Sequence, residues 1–392
     1  MRGILSLGFT AFVATGLASC KDSLPSYLLS QGLQQGSLYL GARPVEEVLK
    51  DPASDPTVKR YLRLSRNVLE FASDKLEMET KGNYRTYAAL KNRWVSHVVV
   101  AAHKNRLEAH LFNYPFFGGL PYRGYFQLRD AKDFATQLRK QNLDVYVRPV
   151  PAYSTTGWLA DPIVSSMFES EVDFIDVIFH ELVHVQFYVN GEADFNEAFA
   201  TWFAARATER FIKESDFSDD ERKRMLSELR TSREHDLLKT KWIHSILAKA
   251  RRFYDSKDFL DASASTQESL REKFFAKLRG ELATVPELEK WSKIEWNNAV
   301  LVSLSTYNDL VGNIEHYAVA KKISDVELLK ATRKDASPIL QALKQQRDSA
   351  CRSSSSRRSS DPASLSDLSE CPPPQKQQAQ SPLPDSKPSQ AP

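Results

Sequence analysis

Residues 174–201 read FIDVIFHELVHVQFYVNGEADFNEAFAT, a His-Glu-x-x-His motif with a second glutamate thirteen positions beyond its last histidine. Phe174, Ile175, Ile178, Phe179, Leu182 and Val183 crowd around the motif and predict a helix buried on nearly every side. On such a helix His180 and His184 leave the same face, so both imidazoles can bind one metal through ring nitrogens. Histidines and a glutamate in a buried helix need polar partners, and a metal with its water supplies them together.

Glu181 follows the first histidine. From there it can reach a metal-activated water without being a ligand, which is the place of a general base. Catalytic zinc takes three protein ligands and keeps a fourth position for water, and Glu197 is the nearest candidate for the third. A competing reading makes Glu197 a cap, because Asp194-x-x-Glu197 has the spacing of a capping box. In a chain of this composition an accidental HExxH has a probability of about 0.01. These residues point to a zinc peptidase centre: one Zn²⁺ ion on His180, His184 and Glu197, with Glu181 as base.

The chain has 392 residues, with 53 Lys and Arg against 50 Asp and Glu, a net charge of +3. Nothing in that balance argues for nucleic acid. The first twenty residues, MRGILSLGFTAFVATGLASC, carry one early cation, an apolar run and Leu17-Ala18-Ser19-Cys20, the pattern of a secretory signal ending in a lipobox. The run is short for a bilayer span, and an uncleaved anchor is the alternative. The expectation is a signal peptide over 1–19, a lipid on Cys20, and a protein tethered to a membrane of the bacterial envelope, facing the periplasm. Cys351 and Cys371 could pair there, but they lie in a tail over 347–392 whose Ser, Pro and Gln content predicts disorder. Between these ends, 20–346 reads as one metallopeptidase-like domain.

Along that domain, residues 21–50 read as a tether entering a helix, and 56–77 as a helix with Tyr61, Leu62, Val68 and Leu69 on its packed face. Residues 93–116 suggest two strands in a hairpin through Lys104-Asn105, with His97, His103 and His110 as ordinary sheet residues. A glycine-rich loop over 113–126, a helix over 129–141 and a strand over 143–150 follow. The segment 152–158 then runs toward the metal helix, where a peptide substrate could add as a further strand. Tyr153 within it is a candidate hydroxyl for the developing oxyanion. Ser218-x-x-Glu221 opens a long helix toward Ser256, and Ser324-x-x-Glu327 opens the last, near 325–345. His235, His244 and His316 read as ordinary helix-region histidines. The fold expected is α+β, mainly α: a zincin-like catalytic core with a small sheet, followed by a helical C-terminal part.

The chain resembles a family of zinc aminopeptidases of the bacterial envelope. The likeness runs through the lipobox, Tyr27-Leu28-Leu29-Ser30-Gln31-Gly32-Leu33, Ala42-Arg43-Pro44-Val45, Tyr122-Arg123-Gly124-Tyr125-Phe126, the segment from Ala152 to Pro162, and Asn297-Asn298-Ala299 with Tyr307. HELVH and FNEAFAT also look like the HExxH and NExxA halves of gluzincin aminopeptidases, which implies Glu197 as third ligand and a peptide substrate. The interval between His184 and Glu197 is shorter than in thermolysin-like enzymes and requires a tight turn at Asn190-Gly191-Glu192, which Gly191 permits. Thr201 stands where a carboxylate would support the histidines, leaving Asp173 or Asp176 for that part. Arg123, like Tyr153, could face the oxyanion. The other reading is a non-catalytic, lipid-anchored scaffold or peptide-binding protein with a structural zinc. A structural site would be closed by a fourth protein ligand and would not need Glu181.

Overall fold

A computed structural model describes residues 24–114, 118–150, 159–304 and 310–346. The chain divides into one compact unit over Met1–Leu343 and another over Lys344–Pro392; the account below concerns the first. It is mainly helical with small sheets, as expected. The principal helices are α1 (Leu24–Leu40), α2 (Pro56–Leu76), α3 (Leu128–Lys140), α4 (Glu171–Gln186), α5 (Ala193–Glu214), α6 (Asp219–Tyr254), α7 (Ala264–Ala283), α8 (Asn298–Leu304), α9 (Leu310–Lys321) and α10 (Asp325–Lys334). The strands are β1 (Arg43–Pro44), β2 (Thr86–Ala88), β3 (Ser96–His103), β4 (Phe112–Tyr114), β5 (Gly118–Leu120), β6 (Tyr122–Tyr125), β7 (Leu143–Val150) and β8 (Ile163–Val164). Among the described residues no helix is long and apolar enough to cross a membrane.

The motif helix α4 begins where Ser170 accepts a hydrogen bond from the Asp173 amide, with Glu171 and Asp173 placed favourably against the helix dipole. Glu171 is held further by Arg60 at 2.6 Å and Arg224 at 2.7 Å. Val172, Phe174, Ile175, Ile178, Phe179, Leu182 and Val183 are all buried. α5 folds back along α4 and seals it. Phe179 of α4, Phe211 of α5 and Phe71 of α2 meet edge to face, with Phe71 and Phe211 centroids 5.3 Å apart. The α4–α5 turn is as tight as the sequence requires, and Gly191 takes φ +80°, where a side chain would be strained.

β6, β3 and β7 form an antiparallel sheet in that order. Its residues alternate faces. Val99, Ala101, Tyr125 and Val145 pack with Ala131, Ala135 and Leu138 of α3, while Val100 and Ala102 pack with Ala299 and Val302 of α8. At the first residues of α8, Asn298 is a buried hub. Its Nδ2 donates to the His103, Lys104 and Arg106 carbonyls at 2.7, 3.3 and 3.2 Å, and its Oδ1 accepts from the Tyr254 hydroxyl at 2.5 Å. Asp144 of β7 accepts from the Asn298 amide at 2.9 Å and from the buried guanidinium of Arg271 on α7.

The helices over 56–77 and 129–141, the strand over 143–150 and the long α6 form as expected. Three expectations are corrected. The chain does reverse after β3, but the hairpin consists of one bridge, Ala102 to Ala109, because β6 occupies that edge of β3 from His97 to Val100. The presumed loop over 113–126 contains strands: β4 pairs with β5, and β6 joins the sheet, since aromatic residues favour strands despite neighbouring glycines. The last helix is interrupted. α10 ends at Lys334, Asp335 is extended at φ −157°, and its carboxylate accepts from the Ser337 amide at 2.9 Å ahead of Pro338, which suits a helix's first turn. Residues 1–23, with Cys20, and the segment 151–158, with Tyr153, lie outside the described residues, as do Tyr307 and 347–392.

Candidate metal centre

Two helices joined by one short turn supply the cluster. His180 and His184 lie one turn apart on α4, and Glu197 lies in the second turn of α5. The His180 Nε2 is 3.3 Å from the His184 Nε2 and 3.3 Å from the Glu197 Oε2. The His184 Nε2 is 3.5 Å from the Glu197 Oε1. A tetrahedral zinc with bonds of about 2.0–2.1 Å holds its ligand atoms about 3.3–3.4 Å apart, so the three donors already stand at metal-binding separations. Among the described residues, these three form the group of His, Cys, Asp and Glu side chains able to hold a metal. The donor set fits zinc.

Glu197 does not cap its helix. Glu192, rather than Asp194, occupies the N-cap of α5, and its side chain makes no capping hydrogen bond. What fixes the start of α5 is Asn196, 1% exposed, whose side chain pairs with the backbone of Val189.

The electrostatics favour a cation between the three groups. Burial pushes His184 down to about 4, and the neighbouring charge of His180 adds to the shift, so its imidazole is neutral at pH 7 and ready to be a ligand. Burial also opposes charge on His180, but the Glu197 hydrogen bond and the charges of Glu181, Glu197 and Asp176 outweigh it and raise its pKa. Glu197 is opposed by burial too, yet His180, His184 and Arg148 together hold it below the usual glutamate range. Among the described residues the buried His184 Nδ1 has no hydrogen-bond partner.

Glu181 sits between the two histidines in sequence and faces a buried polar layer. Burial first, and then the charges of Glu181, Asp161 and Tyr39, push the hydroxyl of Tyr84 far above the usual phenol range. Asp161 is 1% exposed, accepts from Tyr39 at 2.5 Å, and donates its amide to Asn83 at 2.8 Å. This ties the segment around Tyr84 to the one preceding α4.

Of the two carboxylates considered as support for the histidines, Asp173 is engaged with Ser170, while Asp176 accepts from Thr208 of α5 at 3.2 Å. Burial lifts Asp176 to about 6, against the pull of His180, Thr208 and Arg233. Asp176 is one turn before His180 on the same helix face.

Arg123 is not brought to the cluster. It is buried, with its guanidinium 3.7 Å from the Tyr27 ring centroid and 4.6 Å from that of Phe134, on the α3 face of the sheet. Strand alternation turns its neighbour Tyr122 to the opposite face instead. Burial of Tyr122 first, then the charges of Tyr188 and Glu197, raise its pKa, while Arg148 of β7 lowers it. Tyr122 is 46% exposed, and Glu197 and Arg148 lie in electrostatic reach of its hydroxyl. Tyr122, Arg148, Tyr188 and Asn196 were missed as site residues; the signal for Tyr122 was the parity of β6.

A helical hairpin presenting an HExxH pair and a following glutamate is the arrangement of a metal-dependent hydrolase site. The sequence model of one family, described as "Putative aminopeptidase", matches residues 26–347, and this chain belongs to that family. No curated protein and no solved structure matches it.

Proposed function

We propose that the chain is a zinc-dependent peptidase, an aminopeptidase carried on the bacterial envelope by a lipid on Cys20 and facing the periplasm. The observation that supports it is the convergence of His180, His184 and Glu197 at metal-binding separations with Glu181 directly beside them. His180, His184 and Glu197 would hold the zinc, which when bound would supply a Lewis acid for the scissile carbonyl and lower the pKa of a water toward neutrality. Glu181 takes the proton from the attacking water and returns it to the leaving amine. Asp176 holds negative charge near His180, and Asn196 fixes the turn that carries Glu197. The family to which the chain belongs supports the peptide class of substrate.

The test is metal analysis of the purified protein, followed by hydrolysis of peptides with free and with blocked amino termini. One zinc per chain and cleavage confined to free amino termini are expected. Glu181→Gln should keep the zinc and lose hydrolysis. Full activity in that variant would remove Glu181 as base, and absence of zinc would remove the reading altogether.

A further inference from the structure

Gly124 lies inside β6, where a glycine weakens a strand and calls for a reason. The conformation does not require it, since its φ is not among the positive ones. Nor does packing: a Cβ there would meet nothing within 4 Å among the described residues. The register puts Gly124 and Arg148 on either side of Val98, so both point to the face that carries Tyr122. The other edge of the strand is closed, because Tyr27 of α1 donates to the Gly124 carbonyl at 2.7 Å and Gln31 accepts from the Phe126 amide at 3.1 Å. Among the described residues nothing fills the space above Gly124, and Tyr122 and Arg148 share its sheet face, with Glu197 in electrostatic reach of both.

Arg148 is exposed and makes no hydrogen bond or ion pair among the described residues. An unpaired guanidinium is a planar fork suited to a carboxylate, and beside a glycine whose absent side chain leaves space it has room to receive one.

We propose that Gly124, Tyr122 and Arg148 form a substrate subsite beside the metal centre, in which Arg148 binds a carboxylate of a short peptide. The carboxylate comes either from the C-terminus of the substrate or from an acidic side chain. This deepens the peptidase reading and rests on it for the identity of the ligand as a peptide.

The experiment measures binding by calorimetry to the zinc-loaded full chain carrying Glu181→Gln, which keeps the ligands intact, and cleavage by the parent protein. The probes are leucyl-leucine, its C-terminal amide, and leucyl-glutamate with its α-carboxyl amidated. At least one carboxylate-bearing probe should bind at least about tenfold tighter than leucyl-leucine amide, the value of a charged hydrogen-bonded pair. Adding Arg148→Ala should close that gap, and Arg148→Lys should keep part of it. Preference for leucyl-leucine identifies the C-terminus as the source, and preference for the glutamate amide identifies the side chain. Equal binding of all three, or a gap that survives Arg148→Ala, overturns the subsite. Gly124→Val should leave the melting temperature unchanged or higher, since the strand favours valine, while weakening all three probes; undiminished binding in that folded variant removes Gly124 from the cleft. If binding discriminates but none of the probes is cleaved, the peptidase reading fails and the subsite stands. If all three probes are cleaved and bind equally well, the reverse holds.

Discussion

Asn196 grips the backbone of Val189 at two points: its Oδ1 accepts from the Val189 amide at 3.0 Å and its Nδ2 donates to the Val189 carbonyl at 2.9 Å. The pair spans the turn between the two helices, and the residue after Asn196 is the candidate ligand Glu197. The asparagine of the FNEAFAT motif thus has a role distinct from chemistry. It sets how far Glu197 stands from the histidines.

Replacing Asn196 by Ala leaves two backbone groups of Val189 unpaired and costs about 1–3 kcal/mol of stability. Zinc affinity should drop by about 10–100-fold although all three ligands remain, as when other groups that orient ligands are lost. Chelator competition measures the affinity and thermal unfolding the stability. Unchanged zinc affinity in a folded Asn196→Ala protein would show that the turn does not position Glu197.

Removing the metal should lower the melting temperature. A ligand bound by the folded state alone adds about 2.7 kcal/mol when present at a hundred times its dissociation constant. The metal-loaded protein should therefore melt several degrees above the chelator-treated one, and His184→Ala should erase the difference. Scanning calorimetry with and without added zinc checks both statements.

Arg271 and Asp144 are both buried, and Asp144 is also bonded to the Asn298 amide. Arg271→Ala leaves a carboxylate in the interior with its main counter-charge gone, a loss of about 3–5 kcal/mol. The double change Arg271→Met with Asp144→Leu should recover much of it, because neither charge is then stranded. Denaturant midpoints of the three proteins provide the comparison.

Glu209 gives a pH signature. Hydrogen bonds from Lys213 and Arg233, ahead of burial, which opposes, hold it at about 2 rather than 4.5. A depressed carboxylate stabilises the fold above its unfolded pKa, and that contribution disappears as pH falls from about 4.5 through about 2. Glu209→Gln should lower the melting temperature modestly at pH 7, since the group is 38% exposed and partly screened, and should have a much smaller effect at pH 2, where about half of the folded-state carboxylate is protonated. An equal loss at both pH values would assign the effect to packing instead.

The metal cluster was legible because its information is local. The four-residue spacing of the histidines, the unbroken apolar surround and the Gly191 turn all lie within one stretch, and each follows from helix geometry or backbone sterics. The sheet face that carries Tyr122 and Arg148 was not legible for the opposite reason. The two residues come to share it only once β6 and β7 take their places on either side of β3, and no local pattern shows which strand is the neighbour of which. Charge marks Arg123 as a candidate for the oxyanion, but strand parity turns its side chain to the α3 face, where it packs on Tyr27 and Phe134. The hairpin after His103 went astray in the same way: a turn is a local event, but the edge it would have filled belonged to a strand further along the chain. Asn298, read only as part of a motif, proved to be a hub whose partners are nearly two hundred residues away in sequence.

The single-turn connection between α4 and α5 also bears on the order of assembly. Every candidate ligand lies within one helical hairpin, so closing it requires only a short loop and little chain entropy. The sheet depends on contacts such as Tyr27 to Gly124 and Asp144 to Asn298, which close much longer loops. In a zinc-containing compartment the hairpin could therefore gather an ion while the sheet is still unformed, and the ion would then act as a clasp on the hairpin.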